Sequence, residues 1–152
     1  MNMALLFPKI IDNQYRGHKL ALWLFCLLTV VFIGRALIHA LAPDGGAQSI
    51  ATIPLDSFSH DGANAVIGIF ALWGFVQLVT AILHVIAIIK YRAMIPLLIL
   101  LTLVGQLFRL FSMSNKPIPV EGTAPAGATA WPLFIILCIM LLLSLTPRKE
   151  FK

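Results

Sequence analysis

Two arginines stand inside long apolar runs, Arg35 in the first and Arg109 in the third. A charge at membrane depth is expensive, so such a residue either faces a bundle interior or extends its head to the interface. A guanidinium presents a planar fork of donors that matches carboxylate and phosphate. Arg35 shares a helical face with His39, and Arg109 shares one with Gly105 and Ser112. Asp56 and Asp61 fall in the connection on the same side of the membrane. Arg35, His39, Asp56, Asp61 and Arg109 therefore form a candidate outer polar cluster, whose cations would face acidic partners or a bound anion such as a lipid headgroup. Snorkelling to the interface is the plain alternative for both arginines. A second candidate set is an intramembrane stripe of Trp73, Gln77, Thr80, His84 and Tyr91, which fall on one face of a helix. That stripe would line an internal surface, or hold helices together by hydrogen bonds.

Other chemistries find little support. No H-E-x-x-H, G-x-S-x-G or phosphate-loop pattern occurs, so no catalytic residue is assigned. The four histidines do not stand on a haem motif: His39 lies near the outer end of its run and His84 near the inner third, too far apart in depth to share one haem. Neither a metal nor a cofactor is expected. Cys26 and Cys138 form no C-x-x-C pair and read as small apolar side chains. None of the apolar runs contains Asp or Glu, which argues against a proton-coupled exporter.

The elements that must position these residues are helices in a membrane. The chain is 60% hydrophobic and 11% charged, against ~25% charged residues in soluble domains. Its four apolar runs, residues 20–41, 63–89, 94–113 and 130–145, match the ~20 residues that a helix needs to cross a bilayer core. The expected fold is all-α, a four-transmembrane-helix bundle forming one integral membrane domain over residues 1–152. Ala40, Leu41 and Ala42 have the small-residue pattern of a signal cleavage site, but Pro43 follows at once and the run is long, so cleavage is not expected.

With alternating spans, Lys9, Arg16, Lys19, Lys90, Arg92, Arg148, Lys149 and Lys152 fall on one side. Short loops rich in Lys and Arg stay in the cytoplasm, so both termini are expected there. The net charge of +5 is thus an orientation signal, not a mark of nucleic-acid binding. Residues 1–19 mix apolar and charged side chains like an interfacial stretch. Pro43, Asp44, Gly45 and Gly46 predict a helix stop and turn, Leu55 and Phe58 a short amphipathic helix in the first outer loop, and Ser59 or Asp61 a cap for the second span. The short link at residues 90–92 predicts that the second and third spans pack as antiparallel neighbours. Gly105 is expected where another helix comes close, and residues 114–129 read as an extended connector.

Residues 12–25 (DNQYRGHKLALWLF), 53–58 (IPLDSF) and 91–97 (YRAMIPL) resemble segments of a set of small uncharacterised inner-membrane proteins of proteobacteria. The resemblance covers the first three spans in order and spacing, and implies a bacterial inner-membrane location without an activity or ligand. In that set an acidic residue and a His precede the Arg of the third span; Gly105 and Gln106 stand there in this chain. The expected function is non-enzymatic: an accessory or scaffold protein, or one that binds membrane lipids. Its partners would be lipids, another membrane protein or copies of itself, with no nucleic acid. The alternatives are a small transporter or channel lined by Gln77, Thr80 and His84, and a redox protein holding haem or quinone.

Overall fold

The computed structural model describes residues 2–148 and consists of helices and connecting turns. The main elements are α1 (Lys19–Leu41), α2 (His60–Lys90), α3 (Ile95–Asn115), the single turn α4 (Pro125–Ala128) and α5 (Ala130–Ser144). α1, α2 and the stretch carrying α3 are long and apolar enough to cross a membrane, and α5 is a shorter apolar helix. Lys149 and Lys152 of the basic tail lie outside the described residues.

Local chemistry sets the helix ends. The His18 ring accepts the Leu20 N–H at 3.2 Å and opens α1, and Pro43 follows its end directly. Ser59 accepts the Gly62 N–H at 3.2 Å and caps α2, with Asp61 in the first turn and Lys90 in the last, both favourable to the helix dipole. Pro96 sits in the first turn of α3, where its missing N–H is harmless.

Two connections differ from expectation. The loop between α1 and α2 holds a single 3-10 turn, Leu55–Ser57, because Pro54 precedes it and the α2 cap at Ser59 follows almost at once. Its apolar residues pack down on α2: Ala47, Ile53 and Leu55 are buried together, with Phe58, Ala63, Val66, Ile67 and Phe70 packed against them. In the connection between α3 and α5, residues 125–128 form a helical turn, α4, begun by Pro125 and stabilised by the Thr129 hydroxyl donating to the Pro125 carbonyl at 2.8 Å.

The helices pack in the order α2, α1, α5, α3. α1 lies along α2, α3 lies along α5, and α1 joins the two pairs through α5. α2 and α3 touch only sparsely, although they are joined by the 3-10 turn Arg92–Met94. The short link therefore fixes direction but not packing: α2 spends its close-packing face on α1, and α3 spends its own on α5. The main core gathers Tyr15, Ala21, Phe25, Ala87, Ile95, Ile99, Leu137 and Met140 at the end where the termini meet.

At that end the N-terminal segment is a strap over the helix ends. Asn2 N–H donates to Leu145 O at 2.8 Å, His18 N–H to Leu143 O at 3.1 Å, Arg148 N–H to Arg16 O at 3.0 Å and Ala93 N–H to Asp12 O at 3.2 Å. Leu6 and Tyr15 are buried beneath it, while Phe7, Ile10 and Ile11 stay exposed. Arg16 grips Asp12 with both terminal nitrogens, at 2.9 and 2.5 Å, and holds that carboxyl below the usual range.

The α1–α2 seam is tightest at Gly74. A Cβ there would stand 2.5 Å from Ala40 N and 2.7 Å from the His39 carbonyl carbon, both backbone atoms that cannot yield. Gly105, by contrast, has nothing within 4 Å of such a Cβ, so no helix approaches it. Gly74→Ala should lower stability by about 1–3 kcal/mol. Gly34→Ala, with nothing within 4 Å, should be neutral or gain up to ~1 kcal/mol from helix propensity. Thermal unfolding in detergent separates the two.

The turn after α1 holds a titratable group. Gly45 and Gly46 take φ of 60° and 70°, and the Asp44 carboxylate accepts N–H groups from Gly46 at 2.8 Å, Gln48 at 3.2 Å and Ser49 at 2.7 Å. Partial desolvation works against the charged form, but the Ser49 and Gly46 donors outweigh it and bring the carboxyl from 3.8 to about 2. A depressed folded pKa means that this stabilisation is complete above the unfolded value and is lost as pH falls through the folded one. The turn should therefore loosen between about pH 4 and pH 2. Trp73 fluorescence in a protein with Trp23 and Trp131 replaced by Phe would report it, and Asp44→Asn should remove that pH dependence.

Candidate functional site

The sparse α2–α3 contact leaves a cleft. It has a volume of about 570 Å³ and is lined by residues of α1, α2, α3 and α5. Because α2–α1–α5–α3 is a packed series and α2–α3 is not, the cleft lies in the gap between the first and last members of that series. It sits between the core beneath the strap and the small core under the outer loop.

Its polar wall comes from α2 and α1. Arg35 Nη2 donates to Gln77 Oε1 at 2.5 Å, across the α1–α2 seam. The Arg35 guanidinium also lies 5.6 Å from the Phe32 ring centre and 5.7 Å from that of Trp73, in cation–π range. Thr80 gives its hydroxyl to Val76 O at 3.0 Å, within its own helix. His84 is buried, with its ring 4.8 Å from Phe25 and 6.3 Å from Phe32. Trp73, Gln77, Thr80 and His84 all line the cleft. Tyr91, the fifth member of the stripe, is exposed just past the end of α2.

The opposite wall comes from α3. Thr102, Gly105, Gln106, Arg109 and Ser112 line it. Arg109 Nη2 donates to Ala126 O of α4 at 2.8 Å, and the buried Gln106 donates to Ala130 O at 2.7 Å, which pins α3 to the start of α5. Thr102 donates to Leu98 O at 2.8 Å within α3. Phe32, Leu98, Leu101 and Leu133 supply apolar surface.

The outer polar residues do not come together as one group. Arg35 and Arg109 both enter the cleft, but neither Asp56 nor Asp61 does. Asp56 accepts from the Gln48 side chain at 2.6 Å. Asp61 is fully exposed in the first turn of α2, 3.6 Å from His60 Nδ1. His39 is buried above the cleft, where Nδ1 donates to Gly45 O at 2.8 Å and the ring packs 5.0 Å from Trp73 and 5.5 Å from Phe70. Asp56 is held within the loop by Gln48, and Asp61 faces solvent at the start of α2.

The α2 stripe names one wall of the cleft; the α3 wall it does not name. The face shared by Arg109, Gly105 and Ser112 is part of that wall, and the members sequence reasoning missed are Thr102 and Gln106, at the same helical spacing. Gln106 in particular was legible only as a departure from a familiar pattern. Comparison with family models, curated proteins and solved structures finds no match for this chain.

The lining of the cleft offers guanidinium, amide and hydroxyl donors beside aromatic and aliphatic surface, and among the described residues it carries no carboxylate. Among the described residues, no three His, Cys, Asp or Glu side chains gather as a metal-ion group. Cys26 and Cys138 are free thiols, half-buried on α1 and α5.

Gln77→Leu should lower stability by about 1.5–3 kcal/mol, since it strips a charged donor of its neutral partner. Thr80→Val should change it by less than about 0.5 kcal/mol. Asp56→Asn and Asp61→Asn should leave the Arg35 environment unchanged. Thermal unfolding of the four variants in detergent, side by side, checks all three statements.

Proposed function

We propose that this is a four-crossing bacterial inner-membrane protein, with both termini cytoplasmic, that holds a membrane amphiphile in the cleft between α2 and α3 without transforming it. Several features support four crossings. α4 and α5 follow one another across Thr129, whose backbone is helical at φ −89°, ψ −3°. Together residues 125–144 reach ~30 Å, the thickness of the hydrocarbon core. Lys9, Arg16, Lys19, Lys90, Arg92 and Arg148 gather at the end where the strap, the α2–α3 link and the α5 terminus meet, which supports a cytoplasmic placement of that end.

The observation that carries the functional reading is the cleft itself: about 570 Å³ of space, polar at Arg35, Gln77 and Arg109 and apolar at Leu98, Leu101 and Leu133, placed where the helix series is open. A lipid has that same division between head and chain. Holding is favoured over conduction because Phe25 packs against His84 and joins the core that fills the bundle toward the strap.

Gentle purification followed by native mass spectrometry tests the reading. The wild-type protein should retain a bound amphiphile. Gly105→Trp, at a position with free space and on the cleft wall, should expel it while leaving the fold intact by circular dichroism. Protein that carries no amphiphile, or a filled variant that retains it equally, would refute the reading.

A further inference from the structure

We infer that the polar end of the cleft is an oxyanion site, in which Arg35 and Arg109 together hold the phosphate of an anionic lipid. The inference rests on the amphiphile-binding reading above and adds the chemistry of the head.

The charge balance is the first argument. Two guanidiniums, from α1 and α3, line the same cleft. Among the described residues no Asp or Glu lines it. The acceptors the arginines have are neutral oxygens, Gln77 Oε1 and Ala126 O. Two cations in an apolar bundle without an acidic partner are unfavourable unless a bound anion compensates them.

Unfilled donors are the second. The Nε atoms of Arg35 and Arg109 and the Nε2 of Gln77 are buried and have no acceptor among the described residues. Buried donors ordinarily find partners. All three belong to residues of the cleft wall, and each lacks an acceptor rather than a donor. A group made only of acceptor oxygens fits that need, and guanidinium forks suit phosphate in particular. A quinone or a neutral glyceride offers carbonyl or hydroxyl oxygens but no charge.

Position selects the source of the anion. Arg35 stands six residues before the end of α1, ~9 Å along the helix axis, a depth reached by a lipid phosphate drawn slightly below the interface. The neighbouring apolar wall at Phe32, Leu101 and Leu133 then accommodates an acyl chain. A free inorganic phosphate would use the same nitrogens but leave that wall unused.

The test uses full-length protein, delipidated and offered phosphatidylglycerol, phosphatidylethanolamine or diacylglycerol with identical chains, with binding read by native mass spectrometry. Phosphatidylglycerol should be preferred by about tenfold or more over diacylglycerol. Arg35→Gln and Arg109→Gln should each lose that preference, with folding checked by circular dichroism and size exclusion. If neither variant folds, the preference of the wild-type protein decides alone. Displacement of phosphatidylglycerol by inorganic phosphate, in the absence of any lipid preference, would keep the oxyanion site and assign it to a free anion. Equal uptake of all three lipids, unaffected by phosphate, would overturn the oxyanion site and leave the amphiphile reading standing. Uptake of none of them, with Gly105→Trp unchanged from wild type, would bring down both.

Discussion

The close seam between α1 and α2 governs the rest of the molecule. It exists because Gly74 has no side chain where the His39–Ala40 backbone passes. At that separation, Arg35 reaches Gln77 across the seam and His39 slots between Trp73, Phe70 and the loop carbonyl of Gly45. With its small-residue face committed to α1, α2 has no equivalent face for α3. α3 turns to α5 instead, held there by the Gln106 side chain on the Ala130 carbonyl. A cleft between α2 and α3 follows from those two commitments.

Lipid is an unusual medium in which to leave such a gap. Between apolar helices the hydrophobic effect gives no preference for a protein neighbour over a lipid neighbour, so packing quality and hydrogen bonds decide which helices meet. Here the hydrogen bonds between side chains and neighbouring elements, Arg35 to Gln77, Gln106 to Ala130 and Arg109 to Ala126, lie on the α1–α2 seam and on the α3 side with α4 and α5. None of them joins α2 to α3. The threonines facing the gap, Thr80 and Thr102, turn back on their own helices. Polar residues therefore line the opening without closing it.

Much of the helical layout was legible in the amino-acid sequence, because runs of apolar residues bounded by Pro, Ser and charged side chains state where a membrane helix begins and ends. The Trp73, Gln77, Thr80 and His84 face was legible for the same reason, from helical spacing. What escaped was the partnering of faces. Asp56 and Asp61 follow the Arg35 run in sequence, but sequence position does not reveal that Gln48 holds Asp56 or that Asp61 stands exposed in the first turn of α2. The role of Gly74 was hidden because several glycines occur in helices, and only the backbone crossing distinguishes Gly74 from the unobstructed Gly34 and Gly105. The short link at residues 90–92 implied adjacency, since chain length limits how far two ends can part, yet it says nothing about how far the helices diverge along their length.

The strap sets an order of assembly. Residues 2–18 are made before α1, but their backbone partners at Leu143, Leu145 and Arg148 are made only after α3. During synthesis α1 and α2 can pair as soon as both have entered the membrane, with the N-terminal segment still unclosed. Only after α5 has emerged can Asn2, Arg16 and His18 find their bonds and Tyr15 become buried. The strapped end of the bundle is thus the last part to lock, and a chain interrupted before α5 would carry the α1–α2 seam without that clasp.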